Sequence, residues 1–282
     1  MSGTKRMVLL LQCGDQKGIV AKVSDFIFRN DGNIITANQH TTDPAKGHFS
    51  MRVEFEIDSA NKDILEFKNE FSRIADSFGA KWQMHDKSRI LNMGILVSKP
   101  DHCLVDLLYL VKSGELPVNI PFVISNYENH RSLAEQYHIP FYYVAANKSN
   151  RQEDKILALA NNSDFLVLAR YMLVLSKNFL SSYAKDIINI HHGFLPSFKG
   201  ANPYRQALDR GVKVIGATAH FVNEDLDDGP IISQSVEYIS HNDDLTSLIR
   251  KGKNLEKRAL SSAISSYIDY RIIRLGNKTI VF

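Results

Sequence analysis

The sequence predicts an α/β protein of two domains: a small βαββαβ layer over residues 1–86, then a doubly wound, mostly parallel sheet over 87–282. Three observations carry that reading. The chain has 282 residues, about two domains at ~150 residues each. In the first part, apolar positions switch between a period of two and a helical period. From residue 90 onward, short apolar strands alternate with helical segments, as in βαβ units.

Residues 7–13, apolar apart from Gln12, read as the first strand. Ile19, Val20, Val23, Phe26 and Ile27 then recur at helical spacing up to Asn30-Asp31-Gly32, a stop signal. Residues 33–42 read as extended. Phe49, Met51, Val53, Phe55 and Ile57 alternate strictly, which is the period of a half-buried strand. Ile64, Phe67, Phe71, Ile74 and Phe78 step along one helical face, and residues 80–85 close the set as a fourth strand. This β-α-β-β-α-β order puts two helices on one sheet face. Further strands are expected at 90–97, 119–125, 141–145, 165–169 and 186–190, with an antiparallel pair at 213–222 and 230–239. A helix over 244–273 carries Leu245, Leu248, Ile249, Leu260, Ile264, Tyr267 and Ile268 on one face, with a break at Gly252. Open α/β sheets bind ligands outside the carboxyl ends of their strands, so the segments after 169 and 190 are the first places to look.

Composition excludes several classes. Hydrophobic residues at 44% and charged residues at 23% rule out disordered and collagen-like chains. A net charge of +3 lacks the clustered basic face of a nucleic-acid reader. The two cysteines, Cys13 and Cys103, are too few for a zinc site of their own or a disulfide framework. Lys5-Arg6 followed by Met7 to Leu11 superficially resembles a secretion signal. The run stops at Gln12, short of the ~7–15 apolar residues required, and nothing approaches the ~20 of a membrane span. The expectation is a cytoplasmic protein without nucleic-acid or membrane partners.

The segment Asp15-Gln16-Lys17-Gly18-Ile19-Val20-Ala21 joins the first strand to the first helix. Gly18 would allow a tight approach, and the free N–H groups of a helix start can receive a carboxylate. Over about 80 residues the pattern and this segment resemble ACT domains. That resemblance implies a ferredoxin-like fold, a regulatory amino-acid site at Asp15, Gly18 and Ile19, and edge-to-edge pairing of chains. Asp15 reads equally well as a plain helix N-cap.

The chemistry is expected in the second domain. A buried strand ending Ile187-Ile188-Asn189-Ile190-His191 presents Asn189 and His191 on one face. An amide beside an imidazole can donate hydrogen bonds to a carbonyl oxygen as it becomes an oxyanion. Downstream, His220-Phe221-Val222-Asn223-Glu224-Asp225-Leu226-Asp227-Asp228-Gly229-Pro230 is an acid-rich turn that supplies a carboxylate for proton handling. Asp228 reads as a turn residue and His220 as a hydrogen-bonded support. Adjacent strand residues face opposite ways, so His191 and His192 are not expected to join His220 around a metal.

N-I-H, then L-P, then Gly200, then H-F-V ahead of L-D-x-G-P resembles the hydrolases and transferases that use 10-formyltetrahydrofolate. With residues 163–176 the resemblance spans nearly all of 88–240 and implies a Rossmann-like formyltransferase fold. It puts the catalytic trio on Asn189, His191 and Asp227. It puts the folate pocket on Met172, Leu173, Val174 and Leu175 and on Val222, Asn223, Glu224 and Asp225; without it, Met172 to Leu175 would read as ordinary core. Relatives that formylate a phosphorylated amine have a glycine-rich loop after the first strand of this domain. Here that place reads Ser98-Lys99-Pro100-Asp101-His102-Cys103-Leu104. Pro100 lacks an N–H, and Asp101 would set negative charge at a helix start.

An ACT-like module followed by this domain, with nothing after it, resembles the deformylase branch of the family. The branch implies hydrolysis of 10-formyltetrahydrofolate to formate and tetrahydrofolate, with formate supplied to purine synthesis. It also implies a homodimer or homotetramer, glycine or methionine as effector, no cofactor beyond the folate substrate, and no metal. Two other readings stand beside it: a formyltransferase to an unphosphorylated amine, and an amino-acid sensor that only binds folate. Whether Asp227 would take water's proton directly or through a relay stays open at this point.

Overall fold

A computed structural model describes residues 4–43, 47–58, 64–197 and 203–282. The chain divides into two compact units, Met1–Arg89 with Asp269–Leu275 and Ile280–Phe282, and Ile90–Ile268 with Gly276–Thr279. Asp269–Leu275 and Ile280–Phe282, expected in the second domain, thus belong to the first unit.

The first unit runs β1 (Thr4–Gly14), α1 (Ile19–Arg29), β2 (Asn33–Thr41), β3 (His48–Asp58), α2 (Ile64–Asp76) and β4 (Lys81–Asp86). Its four strands lie in the order β2-β3-β1-β4, all neighbours antiparallel. Strand alternation sends Met7, Leu9 and Leu11 of β1 and Phe49, Met51, Val53, Phe55 and Ile57 of β3 to one face, where both helices cover them. Phe26 of α1 meets Phe67 and Phe71 of α2 with ring centroids 4.7 and 5.3 Å apart. Asp15 does not cap α1: Gly18 holds the N-cap position at φ 91°, with no side-chain cap. No atom crowds Gly18, so the residue supplies a left-handed backbone rather than a tight approach.

On the opposite sheet face Arg52 is buried, 2.7 Å from Glu54, and donates to the carbonyls of Asp269 and Tyr270. Ile273 packs there on Val8 and Leu10. The last helix, α8 (Leu245–Ile268), stops before residue 273, and the chain continues as β12 (Ile272–Leu275) and β13 (Lys278–Val281). Ile249, placed on the apolar face by the sequence, is 41% exposed. Gly252 lies inside α8 and does not break it.

The second unit alternates β5 (Met93–Val97), α3 (His102–Lys112), β6 (Val123–Ser125), α4 (Arg131–Gln136), β7 (Phe141–Tyr143), α5 (Glu153–Ala160), β8 (Phe165–Leu168), α6 (Lys177–Tyr183), β9 (Ile187–His191), α7 (Pro203–Asp209), β10 (Val214–Phe221) and β11 (Ile231–Tyr238) before α8. The sheet order is β11-β10-β9-β8-β5-β6-β7. β5 to β9 are parallel; β10 and β11 join antiparallel. The chain winds outward from β5 to β7 and then resumes on the other side at β8. The switch of winding direction, where such sheets take ligands, therefore lies between β5 and β8. Among the described residues no helix is long and apolar enough to cross a membrane.

Candidate active site

β9 is buried on both faces and ends at His191, so its alternation delivers Asn189 and His191 to one side of the sheet. β10 runs antiparallel beside it with His220 opposite Asn189 and Thr218 opposite His191. Cross-strand partners share a face, and the Asn189 Nδ2 to His220 Nε2 distance is 3.1 Å. His220 Nδ1 lies 2.8 Å from the Phe221 carbonyl and can only donate to it. In the neutral ring this leaves Nε2 as the acceptor of the Asn189 amide. One amide hydrogen is thereby fixed and the other left for a ligand.

Asp227 arrives from the loop after β10 with φ 53°, a left-handed backbone. Gly229 lets that loop fold against β10, since a Cβ there would lie 1.8 Å from the Phe221 carbonyl oxygen. The fold-back brings Asp227 Oδ2 to 3.2 Å from His191 Nδ1 and Oδ1 to 3.8 Å from His220 Nε2. Burial pushes the Asp227 carboxyl up. The hydrogen bond from His191 and the positive charge His191, His220 and His192 can carry outweigh it, leaving the group below the usual carboxylate range. Burial pushes His220 down. The remaining His191 nitrogen, Nε2, is buried and has no hydrogen-bond partner among the described residues.

The sequence-derived trio is therefore brought together, with His220 as its support. The expectation for His192 is corrected. The strand ends at His191, alternation ends with it, and the two rings lie 5.3 Å apart. Burial, then the charge of Arg170, lowers His192 to about 4. The two expected folate segments are also neighbours. Leu173 and Val222 pack on one core cluster, and Lys177 Nζ meets Glu224 at 2.8 Å. Leu175 is buried, while Met172 and Val174 stay 52% and 49% exposed. Asn223 Oδ1 accepts from the Asp225 N–H at 3.2 Å, within the loop itself. Phe198, Lys199 and Gly200 of the motif lie outside the described residues.

Sequence reasoning missed a second polar cluster. Glu256 of α8 is buried and receives Tyr204 Oη at 2.6 Å and His102 Nε2 at 2.8 Å, with Arg170 Nε at 3.3 Å. Burial raises the Glu256 carboxyl, and the His102 bond with the Arg170 charge overcomes that and lowers it. His102, Cys103 and Glu256 offer ligand atoms within 4.8 Å of one another. The adjacent Arg170 cation already compensates that carboxylate, which argues against a metal there.

The formyl transferase family matches residues 91–264. A formyltetrahydrofolate deformylase of Synechocystis is 44% identical over 278 residues, covering 97% of both chains. A solved deformylase from Pseudomonas syringae superposes with a TM-score of 0.93 at 40% identity, over 99% of this chain and 95% of that one. This chain belongs to the formyltetrahydrofolate deformylase family. A glycinamide ribonucleotide transformylase from Symbiobacterium toebii is also similar, with a TM-score of 0.65 and 27% identity. It matches 68% of this chain and 94% of its own length. The deformylase match is thus nearly full-length, whereas the transformylase match leaves about a third of this deformylase-family chain uncovered.

Proposed function

We propose that the chain hydrolyses 10-formyltetrahydrofolate to formate and tetrahydrofolate. The observation that carries the chemistry is the buried His191 Nε2, without a partner among the described residues, backed through Nδ1 by an ionised Asp227 and flanked by the Asn189 amide. The nearly full-length likeness to deformylases points the same way.

Asp227 is a weak base on its own, because its carboxyl lies below the usual range. Coupled to Nδ1–H it does more as a charge partner: it fixes the tautomer and stabilises the imidazolium, the division of labour of an Asp–His pair. His191 Nε2 then removes a proton from water as the oxygen attacks the formyl carbon. The free hydrogen of the Asn189 amide stabilises the oxyanion, a term worth about 3–4 kcal/mol. His191 returns the proton to N10, the C–N10 bond breaks, and formate and tetrahydrofolate leave. Water's proton thus goes to His191 Nε2 rather than to Asp227, whose charge partners the imidazolium.

Met172 to Leu175 and Val222 to Asp225 form the folate-binding surface in this reading. The first unit acts as an ACT-like amino-acid sensor through the Asp15 to Ile19 loop, with glycine or methionine as effector by family analogy. Cytoplasmic formate supply for purine synthesis belongs to the same proposal, as does a dimer or tetramer. The test is incubation of the pure protein with 10-formyltetrahydrofolate and no acceptor. Stoichiometric formate is expected. Turnover only on adding an amine would replace hydrolysis by transfer.

A further inference from the structure

At the switch between β5 and β8, where a sheet of this topology takes ligands, side chains of the protein itself converge. His102 opens α3 after β5, Arg170 follows β8, Tyr204 comes from α7 and Glu256 from α8. Four elements thus converge on one buried carboxylate. Arg170 has φ 65°, a left-handed backbone rarely adopted by non-glycine residues. Tyr204 reaches Glu256 only because Gly252, one turn earlier on α8, has no side chain. A Cβ there would lie 2.1 Å from the Tyr204 ring and hydroxyl.

The cluster borders the reacting centre. β8 and β9 pair in parallel up to Leu168 and Asn189, so Arg170 just past β8 and His191 at the end of β9 lie on the same rim of the sheet. His192 bridges them, its ring 5.3 Å from His191 and 6.0 Å from Tyr204.

We propose that the Glu256 network is an acceptor-side plug: it closes the crevice beside His191 to substituted amines, and thereby directs the formyl group to water. The inference rests on the hydrolase reading above. A buried charged network suits this role because removing one partner leaves an uncompensated charge, so the plug does not loosen piecemeal. In hydrolysis or transfer alike, the formyl carbon–N10 bond breaks, a bond to the oxygen of water or the nitrogen of an amine forms, and the nucleophile's proton ends on N10. The plug changes only which nucleophile fits.

The experiment supplies 10-formyltetrahydrofolate with hydroxylamine or glycinamide and measures formate and the N-formyl product together. The native protein should formylate hydroxylamine in preference to glycinamide, each rate taken relative to its uncatalysed reaction. Equal acceptance of the two would overturn the plug without any variant. Tyr204→Ala empties the ring volume over Gly252, and Arg170→Ala/Glu256→Ala removes both charges together. Either should raise the ratio of N-formylglycinamide to formate by about 10–200-fold, the span that fit of a small group commands. Folded, hydrolysing variants with the native ratio would also overturn it; if neither folds, the native amine comparison decides. Absence of formate from the native protein without amine defeats the hydrolase reading instead, which keeps the two failures apart.

Discussion

Asp227 and Asn189 make separable demands. Asp227→Asn keeps the shape but removes the charge that partners the imidazolium, and it can present an amide to Nδ1 that favours the wrong tautomer. The expected fall in kcat is ~10²–10⁴, read in a single-turnover assay so that product release does not mask it. A kcat within threefold of the native value, with chemistry shown to limit turnover, removes Asp227 from the mechanism. Asn189→Ala should cost ~10²–10³ as a lost oxyanion donor, and the two losses should not add, since the groups act as a unit. The pH profile has a defined sign. Because the Asp227 carboxyl is lowered, its contribution is present throughout the neutral range and is lost only as pH falls below the usual ~3.9 of an aspartate. An acid limb of kcat/KM assigned to Asp227 at pH 5–6 would contradict that environment.

Among the elements, α8 decides between two opposed effects. Alanine is a better helix former than glycine by about 1 kcal/mol, so Gly252→Ala would stabilise an exposed helix. Here the added Cβ would overlap the Tyr204 ring at 2.1 Å, and overpacking costs ~1–3 kcal/mol. The net expectation is a lower denaturant midpoint; an unchanged or raised midpoint would show that Tyr204 moves aside freely. The same helix shows what the sequence discloses. Strict alternation from Phe49 to Ile57 and the helical stepping from Ile64 to Phe78 place β3 and α2 correctly, but β3 is buried on both faces rather than half-buried, because Ser50, Arg52 and Glu54 are covered as well. The trio was legible because three chemically specific residues recur in a known spacing. Glu256 was not, because a glutamate on an amphipathic helix reads as solvated, and its partners His102 and Tyr204 are 154 and 52 positions away. The strands after α8 did leave a signal: Gly276-Asn277 between Ile272-Ile273 and Thr279-Ile280-Val281 is hairpin chemistry, hidden by running the helical pattern too far.

At the scale of the whole molecule, two half-buried histidines contribute to acid stability. Burial first, and neighbouring cations second, depress His85 and His192 to about 4 from 6.5. Both therefore fold neutral, and the unfolded chain binds more protons between those values. Stability is fully present above about pH 6.5 and declines as pH falls toward 4. Thermal denaturation should show Tm falling across that window, with a shallower fall in His85→Gln; an identical slope would mean that His85 is solvated. Assembly is the other whole-molecule expectation. β2 is the edge strand of the first unit's sheet, nine residues long and exposed along most of its length. Its sequence Asn33-Ile34-Ile35-Thr36-Ala37-Asn38-Gln39-His40-Thr41 has no proline, lysine or acid. Natural sheets usually blunt such an edge with charge or proline, because its unpaired N–H and C=O groups form a template for another strand. The absence of those devices argues that β2 pairs with a second copy, giving a dimer or tetramer through the first unit. Light scattering at micromolar concentration should therefore exceed the 31.9 kDa monomer mass. Ala37→Lys, which sets a charge in mid-edge, should shift the mass toward the monomer and leave the circular dichroism intact. A native protein that scatters as a monomer excludes the assembly, and an Ala37→Lys oligomer of native mass places its interface elsewhere.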